Sequence, residues 1–453
     1  MRFPELPPPI ELGSFTPDFF QRIQDHLSPT LPDGRYLHWN DLRRRPPPAG
    51  LSSNDWWFAQ GWTRRTNRIW IPTLFDQDRK PFWFCRLDVI DRATHELDRS
   101  DATREMIESI GDAAVRKQYR IDQIIEEAIN SSVLEGAKLT TRAQAKAMIR
   151  EGAVPRSHGE RMVLNNFSAM QRMLDTFNRP LDIDDLLEIH SILGDDALDT
   201  PGCAGRFRTE EENVRVEDRS GEVWFTPPPA SELPVRVRLL LNFANNDDPK
   251  PFLHPLVRAI VLHFWLAYLH PFVDGNGRMA RALFYWQMLR SGYDFAQYLS
   301  ISGPIDRSPR SYYLAFAHTE TDEGDLTYFL LHQLRVLQRA RRELTQHLAE
   351  RSERLRNLSL ALEHAESLNR RQQELLTYLI RKPHQPVTIS GHAKSHGVSY
   401  LTARKDIQDL ESQGYLRRVR VGRGDRYLPT DGFVQKLRLR KQDSPVGGSP
   451  PRP

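Results

Sequence analysis

The residue types that can carry out chemistry are concentrated in the segment His270–Arg281. Pro271 disfavours helical geometry in the residue before it, so we expect the preceding apolar helix to end with the imidazole of His270 at its mouth. Two glycines around one asparagine, at 275–277, allow a tight turn with exposed backbone N–H groups. We expect the next helix to begin at about Arg278, which would combine those N–H groups with a helix N-terminus as an anion-binding site.

Charged side chains stand on both sides of this turn. Arg278 and Arg281 are three residues apart, so their guanidinium groups would lie on one face of the helix. Asp274 places a carboxylate beside the turn, where Mg²⁺ could be held by one protein ligand and by phosphate oxygens. A base, a metal ligand, an anion site and two arginines suffice for phosphoryl or nucleotidyl transfer from a nucleotide. The spacing does not say which phosphorus atom would be attacked.

The segment HPFVDGNGRMAR resembles the Fic family signature, HPFx(D/E)GNGRxxR, and matches it at every fixed position. The resemblance continues in Leu187–His190, in Gly205–Arg208, in the segment 213–229 and in the stretch Tyr312–Asp325, all in the family's order. It covers residues 120–340, about half of the chain. A glycine-rich turn between two helices is common and would be a weak signal alone, whereas this many matching positions are a strong one.

The resemblance implies a protein adenylyltransferase, which transfers AMP from MgATP to a hydroxyl group on a tyrosine, threonine or serine of a target protein. His270 would take the proton from that hydroxyl as its oxygen attacks the α-phosphorus of ATP and pyrophosphate leaves. An imidazole near neutral pH suits this role. Asp274 would bind the Mg²⁺ that bridges the α- and β-phosphates.

The remaining motif positions would bind the nucleotide. Gly275, Asn276 and Gly277 would hold the phosphates through backbone and amide donors, where charge develops in the transition state. Arg278 would contact the leaving phosphates, and Arg281 would contact the γ-phosphate. Relatives that phosphorylate with a reversed nucleotide carry lysine at the position of Gly277, so the glycine favours AMP transfer.

The segment Ser131–Gly136 resembles the inhibitory motif of the family, (S/T)xxxE(G/N), in a helix predicted over 120–136. Ser131 and Glu135 are four residues apart and therefore share a helix face. Glu135 lies in the last turn, where the helix dipole disfavours a carboxylate, so a nearby cation would compensate it. The resemblance supplies Arg281, and their pairing would occupy the arginine needed for the γ-phosphate. A solvated glutamate on a surface helix is the alternative.

A change of pattern at 213–226 predicts a β-hairpin, because valines alternate with charged residues and a turn follows at 218–221. In the Fic resemblance this hairpin is the flap, which would align the target's backbone by β-strand addition beside the catalytic histidine. The flap residues expected nearest to the site are Val223, Trp224, Phe225 and Thr226.

Tyr312 and Tyr313 are the candidates for contact with the adenine ring. Core packing with a satisfied hydroxyl group is an equally good interpretation of either side chain. The sequence leaves open which of the two would face the base.

Residues 370–442 are predicted to form a winged helix-turn-helix unit. The predicted elements are helices at Arg371–Arg381, Ser390–His396 and Tyr400–Gln413, a short strand at Pro386–Ile389, and a hairpin of Leu416–Val421 with Arg426–Leu428. In such folds the second helix of the pair enters the major groove of DNA and a basic wing contacts the phosphates. The exposed residues would be Arg404, Lys405 and Gln408 on the helix and Arg418, Arg420 and Arg423 on the wing. Winged helices also mediate protein interaction and dimerisation, so DNA and protein are alternative partners.

The whole chain is predicted to be mainly α: a helical Fic core with a β-hairpin flap, an N-terminal mixed α/β region and a C-terminal winged helix. The N-terminal region is aromatic-rich, with two short strands at Arg68–Leu74 and Pro81–Leu87, and its role is open. The expected domains are the N-terminal region at 1–100, the Fic domain at 101–345, a helical linker at 346–369, the winged helix at 370–442 and a disordered tail at 443–453.

Composition excludes several other classes of protein. The chain has 453 residues, 39% of them hydrophobic and 27% charged, which is typical of a soluble globular protein of two or three domains. It shows no apolar run of about 20 residues and no signal-peptide pattern, so we expect neither a membrane span nor secretion. The two cysteines are far apart and fit a reducing cytoplasm. Because the net charge is only +4, the whole chain is not a polycation, but its basic C-terminal end could face a nucleic acid.

Two other functions remain open. One is a DNA-binding transcription regulator whose Fic core senses a nucleotide or modifies only itself. The other is a Fic enzyme that works mainly as a de-AMPylase or with another nucleotide donor. The expected partners are therefore a target protein, DNA as an alternative, and a second copy of the chain, since the long helices after Asp325 could pair in a homodimer.

Overall fold

The computed structural model divides the chain into two compact units. The first comprises Met1–Ser100 and Ile121–Arg342, and the second comprises Asp101–Arg120 and Glu343–Pro453. The described residues are 3–10, 16–99, 101–111, 113–139, 141–198, 200, 202–217, 221–246, 250–363, 368–381, 385–421 and 424–430. The tail predicted at 443–453 lies outside them. The domain boundaries expected from the sequence stay predictions.

The described chain is mainly α-helical, as the sequence predicts. Its helices are α1 (Pro17–Ile23), α2 (Trp39–Leu42), α3 (Ser53–Thr66), α4 (Asp88–Asp98), α5 (Asp101–Ser109), α6 (Ala113–Leu134), α7 (Arg142–Glu151), α8 (His158–Thr176), α9 (Ile183–Gly194), α10 (Leu233–Asn245), α11 (Pro255–Leu269), α12 (Asn276–Arg290), α13 (Ser302–Asp306), α14 (Pro309–Thr321), α15 (Thr327–Glu363), α16 (Arg370–Arg381), α17 (Ile389–His396) and α18 (Tyr400–Ser412). The described strands form three antiparallel hairpins, β1 (Arg68–Phe75) with β2 (Pro81–Cys85), β3 (Val216–Glu217) with β4 (Val223–Phe225), and β5 (Leu416–Val421) with β6 (Gly424–Pro429). No helix in the described part of the chain is both long and apolar enough to cross a membrane.

The centre of the first unit is the helix pair α11 and α12. Pro255 begins α11, at a position where its missing N–H has no acceptor to lose. All but two residues of each helix are buried, including Phe264, Trp265 and Trp286. Burial of one such side chain contributes roughly 1.5–3 kcal/mol, so this pair forms a fixed platform for the loop that joins its two helices.

Helix α6 lies against α7 and α8 through an apolar stripe. Ile125 and Ile129 pack with Ala145 of α7 and Val163 of α8. The helix ends at Leu134, one residue before the predicted inhibitory glutamate. The predicted helix is therefore present, although it begins earlier than expected from the sequence.

The two strands predicted in the N-terminal region are confirmed as β1 and β2. The N–H of Trp83 donates to the Gly324 carbonyl at 3.2 Å, and the N–H of Leu326 donates to the Trp83 carbonyl at 2.7 Å. Tyr36 donates through its hydroxyl to Asp325 Oδ2 at 2.5 Å. The N-terminal region thus packs against the segment between α14 and α15, within the same unit as the core.

The second unit contains the predicted order of three helices followed by a hairpin. Leu376, Leu379, Ile407 and Leu410 belong to its apolar core. The predicted turn at 397–399 is present, since Gly397 ends α17 in a left-handed conformation and Ser399 accepts from the Thr402 N–H to cap α18.

The strand predicted at Pro386–Ile389 is wrong. Only Val387 pairs there, in a single antiparallel bridge with Tyr427. Thr388 already accepts from the Gly391 N–H and caps α17, so the chain turns into a helix before a strand can continue.

Candidate active site

The imidazole of His270 stands at the C-terminal end of α11. His270 caps that helix in a left-handed conformation, with φ 48° and ψ 54°, and its N–H donates to the Leu266 carbonyl at 3.0 Å. Its Nδ1 lies 3.2 Å from the Ala267 carbonyl oxygen, so Nδ1 carries the proton and Nε2 presents a lone pair. Burial lowers the pKa of His270, which keeps the imidazole neutral near pH 7 and able to accept a proton.

The loop after His270 is closed by one buried asparagine. Asn276 accepts through Oδ1 from the Phe272 N–H at 3.0 Å and donates through Nδ2 to the Phe272 carbonyl at 2.8 Å. Gly275 has φ 81°, which residues with a side chain rarely adopt. Because the turn is complete at Gly275, α12 begins at Asn276 and not at the predicted Arg278. The N–H groups of its first turn have no intrahelical acceptor and make the predicted anion-binding position.

Arg278 is fully buried beside this loop. Its Nη2 donates to Asp274 Oδ2 at 3.2 Å, whereas its Nε and Nη1 have no hydrogen-bond partner among the described residues. Buried donors without acceptors are unfavourable, and an anion in the loop would satisfy them. Asp274 is about half exposed, at 48%, and suits a Mg²⁺ site completed by phosphate oxygens and water.

Arg281 of α12 is held by the end of α6. Its Nε donates to Ser131 Oγ at 2.8 Å, and its Nη2 donates to the Ser131 carbonyl at 3.1 Å and to Glu135 Oε1 at 2.8 Å. The pair of Glu135 and Arg281 predicted from the sequence is therefore formed. A β-carbon built at Gly277 would lie 2.1 Å from Glu135 Oε1, so the carboxylate rests directly on the backbone of the anion-binding loop.

A second carboxylate of α6, Glu127, lies two turns before Glu135 and binds the segment at Ser300 and Ser302. The sequence did not predict a role for it. Its side chain is 1% exposed and accepts from Ser300 Oγ at 2.8 Å, from the Ser302 N–H at 3.0 Å and from Ser302 Oγ at 2.5 Å. Burial raises the pKa of Glu127. Its spacing of eight residues from Glu135, on one helix face, is the sequence signal that would have found it.

His190 of α9 supports the loop from another side, and no role was predicted for it. Its ring stacks on Phe272, with centroids 3.8 Å apart and planes 9° apart. Its Nδ1 accepts from the Gly205 N–H at 3.0 Å, so Nε2 carries the proton and donates to the Asp274 carbonyl at 2.9 Å. Burial lowers the pKa of His190 to about 4, so this neutral form and its two contacts persist at pH 7.

The predicted flap is a short antiparallel hairpin. Val216 pairs with Phe225, and Glu217 pairs with Val223. Phe225 contacts Tyr268 of α11, with ring centroids 5.0 Å apart, which joins the hairpin to the platform. The sheet has two strands, so among the described residues the second edge of β4 has no strand partner, and Val223 is 40% exposed.

The N-terminal region contacts the flap through Gln77 and Phe3. Gln77 Nε2 donates to the Thr226 carbonyl at 2.6 Å, and the ring of Phe3 meets that of Trp224 edge-on with centroids 5.6 Å apart. The predicted turn residues 218–220 lie outside the described residues. These contacts give residues 1–100, whose role was open, a structural connection to the flap.

The two candidate tyrosines differ in exposure. Tyr312 is 4% exposed and its hydroxyl lies 2.9 Å from His263 Nε2, which is the core-packing arrangement. Tyr313 is 38% exposed. Tyr313 is therefore the better candidate for contact with a nucleotide base.

The second unit presents a basic surface on α18 and on β5. The exposed residues there include Arg404, Lys405, Gln408, Arg417, Arg418 and Arg420. Arg418 pairs with Asp425 across the hairpin, while Arg423, predicted on the wing, lies outside the described residues. This is the charge distribution expected of a helix and wing that face a polyanion.

Two parts of the chain match known protein families. The Fic/DOC family matches residues 180–288, and the DeoR-like helix-turn-helix domain matches residues 371–423. The first match contains the loop at 270–277, and the second contains α16 to β5.

Relatives with assigned names match the middle of the chain. The chain is 30% identical over 206 residues to the protein adenylyltransferase Fic of Nematostella vectensis, covering 44% of this chain and 45% of that protein. It is 30% identical over 249 residues to protein adenylyltransferase fic-1 of Caenorhabditis elegans, covering 54% of this chain and 42% of that protein. The matched region thus spans less than half the length of these relatives.

A solved structure shows the same fold. A Fic family protein from Desulfovibrio desulfuricans superposes on 77% of this chain and 98% of its own, with a TM-score of 0.51 and 21% sequence identity. The chain therefore contains a Fic/DOC domain, matched at residues 180–288, followed by a DeoR-like helix-turn-helix domain, matched at residues 371–423.

Proposed function

We propose that this chain is a protein adenylyltransferase that transfers AMP from MgATP to a hydroxyl side chain of a target protein. The observation that carries the proposal is the arrangement at the loop. A neutral imidazole presents Nε2 beside the loop, and Arg278 is buried next to it with two donors that have no acceptor among the described residues. The names of the relatives support the same reaction class. A reducing cytoplasmic setting belongs to the proposal, because both cysteines are unpaired thiols.

In the proposed reaction, the target hydroxyl oxygen forms a bond to the α-phosphorus while the bond to the bridging oxygen breaks and pyrophosphate leaves. His270 Nε2 takes the hydroxyl proton. The N–H groups at 275–277 and the guanidinium of Arg278 bind the phosphates where negative charge develops. Mg²⁺, held by Asp274, would neutralise part of that charge. The edge of β4 that has no strand partner would align the target's backbone.

The contact between α6 and Arg281 is the proposed brake. Nη2 of Arg281 is bonded to Glu135, so it is not available to a γ-phosphate while α6 is docked. Its Nε is bonded to Ser131 in the same way. ATP would then bind in an unproductive position. The same glutamate could orient a water molecule for removal of AMP from a target, so a de-AMPylase reaction would use this site too.

Labelling with α-³²P-ATP and Mg²⁺ tests the proposal. Wild type, Glu135→Gly and the double variant Glu135→Gly with His270→Ala are compared, with and without cell lysate, and His158→Ala, an exposed histidine, serves as the control. We expect faint labelling of protein by wild type, strong labelling by Glu135→Gly and none by the double variant. If Glu135→Gly labels nothing, including itself, the adenylyltransferase proposal is wrong.

DNA binding by the second unit is a second candidate function. It is favoured by the helix-turn-helix match together with the exposed Arg404 and Lys405 in the first half of α18. The test is fluorescence anisotropy of the full chain with a random-sequence duplex at several salt concentrations. The logarithm of the affinity falls as the logarithm of the salt concentration rises. Replacing both residues by glutamine should make this fall less steep by about 2, one for each phosphate contact that is lost.

The control for this measurement is Arg370→Gln. Arg370 is 90% exposed on α16, outside the proposed contact surface, so its loss should leave the slope unchanged. Binding that is unaffected by His270→Ala would assign DNA recognition to the second unit alone. No binding at low salt, or equal slopes for all variants, would overturn the candidate and favour a protein-interaction role.

A further inference from the structure

Arg208, in the segment between α9 and the flap, binds the backbone at the end of α11. Its Nε donates to the His270 carbonyl at 2.8 Å, and its Nη2 reaches the Leu269 carbonyl at 3.4 Å. The N–H of Arg208 donates to the Pro271 carbonyl at 2.9 Å. One residue therefore holds three consecutive carbonyl groups, and the middle one belongs to the proposed base.

The same guanidinium also holds the chain where it leaves the flap. Its Nη2 donates to the Pro228 carbonyl at 2.5 Å, three residues after β4 ends at Phe225. Arg208 is 6% exposed. The carboxylates of Glu210 and Glu212 act on it electrostatically, while its described side-chain hydrogen bonds go to carbonyl oxygens. Burial also lowers the pKa of the Arg208 guanidinium, because its charged form loses contact with water. A buried cation whose described side-chain hydrogen bonds go to carbonyl oxygens is best satisfied when all of those bonds are made together.

The backbone of His270 needs such support. A left-handed conformation costs a residue with a β-carbon roughly 1–2 kcal/mol, and it persists only where the surroundings enforce it. The φ of 48° places His270 in that region. Because the imidazole direction follows from this backbone conformation, relaxation towards an ordinary φ would turn Nε2 away from the loop.

We propose that Arg208 is a positioning residue that couples the flap to the catalytic base, by holding the His270 backbone and the flap exit with one guanidinium. This inference rests on the proposed adenylyltransferase function. A target strand that binds to the flap would be presented to an imidazole that is fixed relative to that flap. Misplacement of a reacting group by about 1 Å costs about a hundredfold in rate, so the coupling would act on turnover.

Lysine and the neighbouring Arg206 provide the matched comparison. Arg208→Lys retains the positive charge but cannot donate in two directions from one rigid plane. Arg206, two residues earlier, has a side chain 41% exposed and pairs with Glu212 at 2.6 Å, without contact to the His270 backbone in the described structure. Arg206→Lys therefore changes the same residue type in the same loop, while the hydrogen bonds of Arg208 to the His270 and Pro228 carbonyls stay in place.

The first test is steady-state AMP transfer in the Glu135→Gly background. For Arg208→Lys we expect kcat to fall by about a hundredfold, with the KM for ATP nearly unchanged, since the phosphate-binding groups stay in place. Arg206→Lys should retain kcat. Rates are normalised to the folded fraction measured by calorimetry, so a variant that is merely less stable would show normal turnover per folded molecule.

The second test does not depend on activity. Long-range ¹⁵N–¹H spectra of histidine-labelled protein, with His270 assigned by His270→Ala, report which ring nitrogen carries the proton. We expect one Nδ1–H tautomer in the parent and in Arg206→Lys, and a mixture in Arg208→Lys. If the Glu135→Gly parent transfers no AMP, the adenylyltransferase proposal fails. The tautomer spectrum then decides by itself whether Arg208 positions His270. Unchanged kcat together with a single Nδ1–H tautomer in Arg208→Lys would overturn the positioning role.

Discussion

Helices α6 and α11 both contact α12, but they do so with opposite chemistry. α11 is buried on every side, carries apolar or aromatic side chains at most of its positions, and packs along α12. α6 turns its apolar stripe towards α7 and α8 and presents a polar row to α12 and its neighbours, formed by Glu127, Ser131 and Glu135.

We expect this difference to make the α11 contact permanent and the α6 contact reversible. Each neutral hydrogen bond contributes about 0.5–1.5 kcal/mol net, and each bond to a charged group about 1.5–3 kcal/mol, because water offers similar bonds to the separated groups. Apolar groups have no such alternative in water. We therefore propose that the α6 contact opens while its apolar stripe stays on α7 and α8, whereas the α11 contact opens only when the unit unfolds.

The largest effect is expected in the permanent contact. Phe264 of α11 is 0% exposed, so Phe264→Ala should lower the free energy of unfolding of the first unit by about 3–5 kcal/mol. Denaturant titration measures this change. Phe252→Ala, at a side chain 71% exposed, is the control and should change it by less than about 0.5 kcal/mol. If both variants lose only a little stability, the packing of α11 does not hold the first unit together as we expect.

The next effect concerns the reversible contact, where two adjacent serines point in different directions. Ser131 accepts from Arg281 on the α12 side, whereas Ser132 donates to the Met162 carbonyl and accepts from Asn166, both on α8. Ser131→Ala should lower the free energy of unfolding by about 1–3 kcal/mol and raise AMP transfer several-fold.

Ser132→Ala is the matched control for this prediction. It should cost comparable stability, because a buried hydroxyl with two partners is also lost, but it should leave AMP transfer at the wild-type level. Labelling with α-³²P-ATP and denaturant titration measure the two quantities. If both variants raise AMP transfer equally, the cause is a general loosening of α6 and not the release of Arg281.

Gly277→Ala probes the same contact from the loop side. Its β-carbon would overlap Glu135 Oε1, so the carboxylate must move away from Arg281. We expect a stability loss of about 1–2 kcal/mol that disappears when Glu135 is already glycine, which a double-mutant cycle measures as coupling between positions 277 and 135. Additive losses in the cycle would show that the methyl group clashes with something other than the carboxylate.

The smallest expected effect is a pH dependence of α6 docking. Burial raises the pKa of docked Glu127 above that of the solvated side chain, so docking favours the protonated form. The stabilisation is fully present below the ordinary carboxyl pKa and is lost as the pH rises through the raised value. Hydrogen exchange of α6 amides, corrected for intrinsic rates, should show more protection at pH 5 than at pH 8, and Glu127→Gln should remove the difference.

The sequence predicted those parts of the site that local residue types determine. Pro271 after His270 indicated the helix end, Gly275 indicated the turn, and a continuous apolar run indicated that α11 is buried. The Glu135 pair was predicted through the family resemblance, because two residues this far apart along the chain carry no local signal of contact.

The residues that the sequence did not assign act through tertiary contacts. Arg208 is 62 residues from His270, and His190 is 84 residues from the carbonyl it supports. Glu127 has its partners 173 and 175 residues away. No periodicity or spacing relates these residues to their distant partners, although the spacing of Glu127 from Glu135 would have singled out Glu127 itself. The early start of α12 and the missing strand at 386–389 are errors of a few residues, of the kind that side-chain capping decides.

The left-handed backbone of His270 also affects how this position would change under mutation. Glycine would adopt φ 48° without the cost of roughly 1–2 kcal/mol that a β-carbon brings, so replacing the imidazole by hydrogen would relieve the strain. The same substitution would remove the proposed base. Stability and the proposed chemistry therefore make opposite demands on this one position.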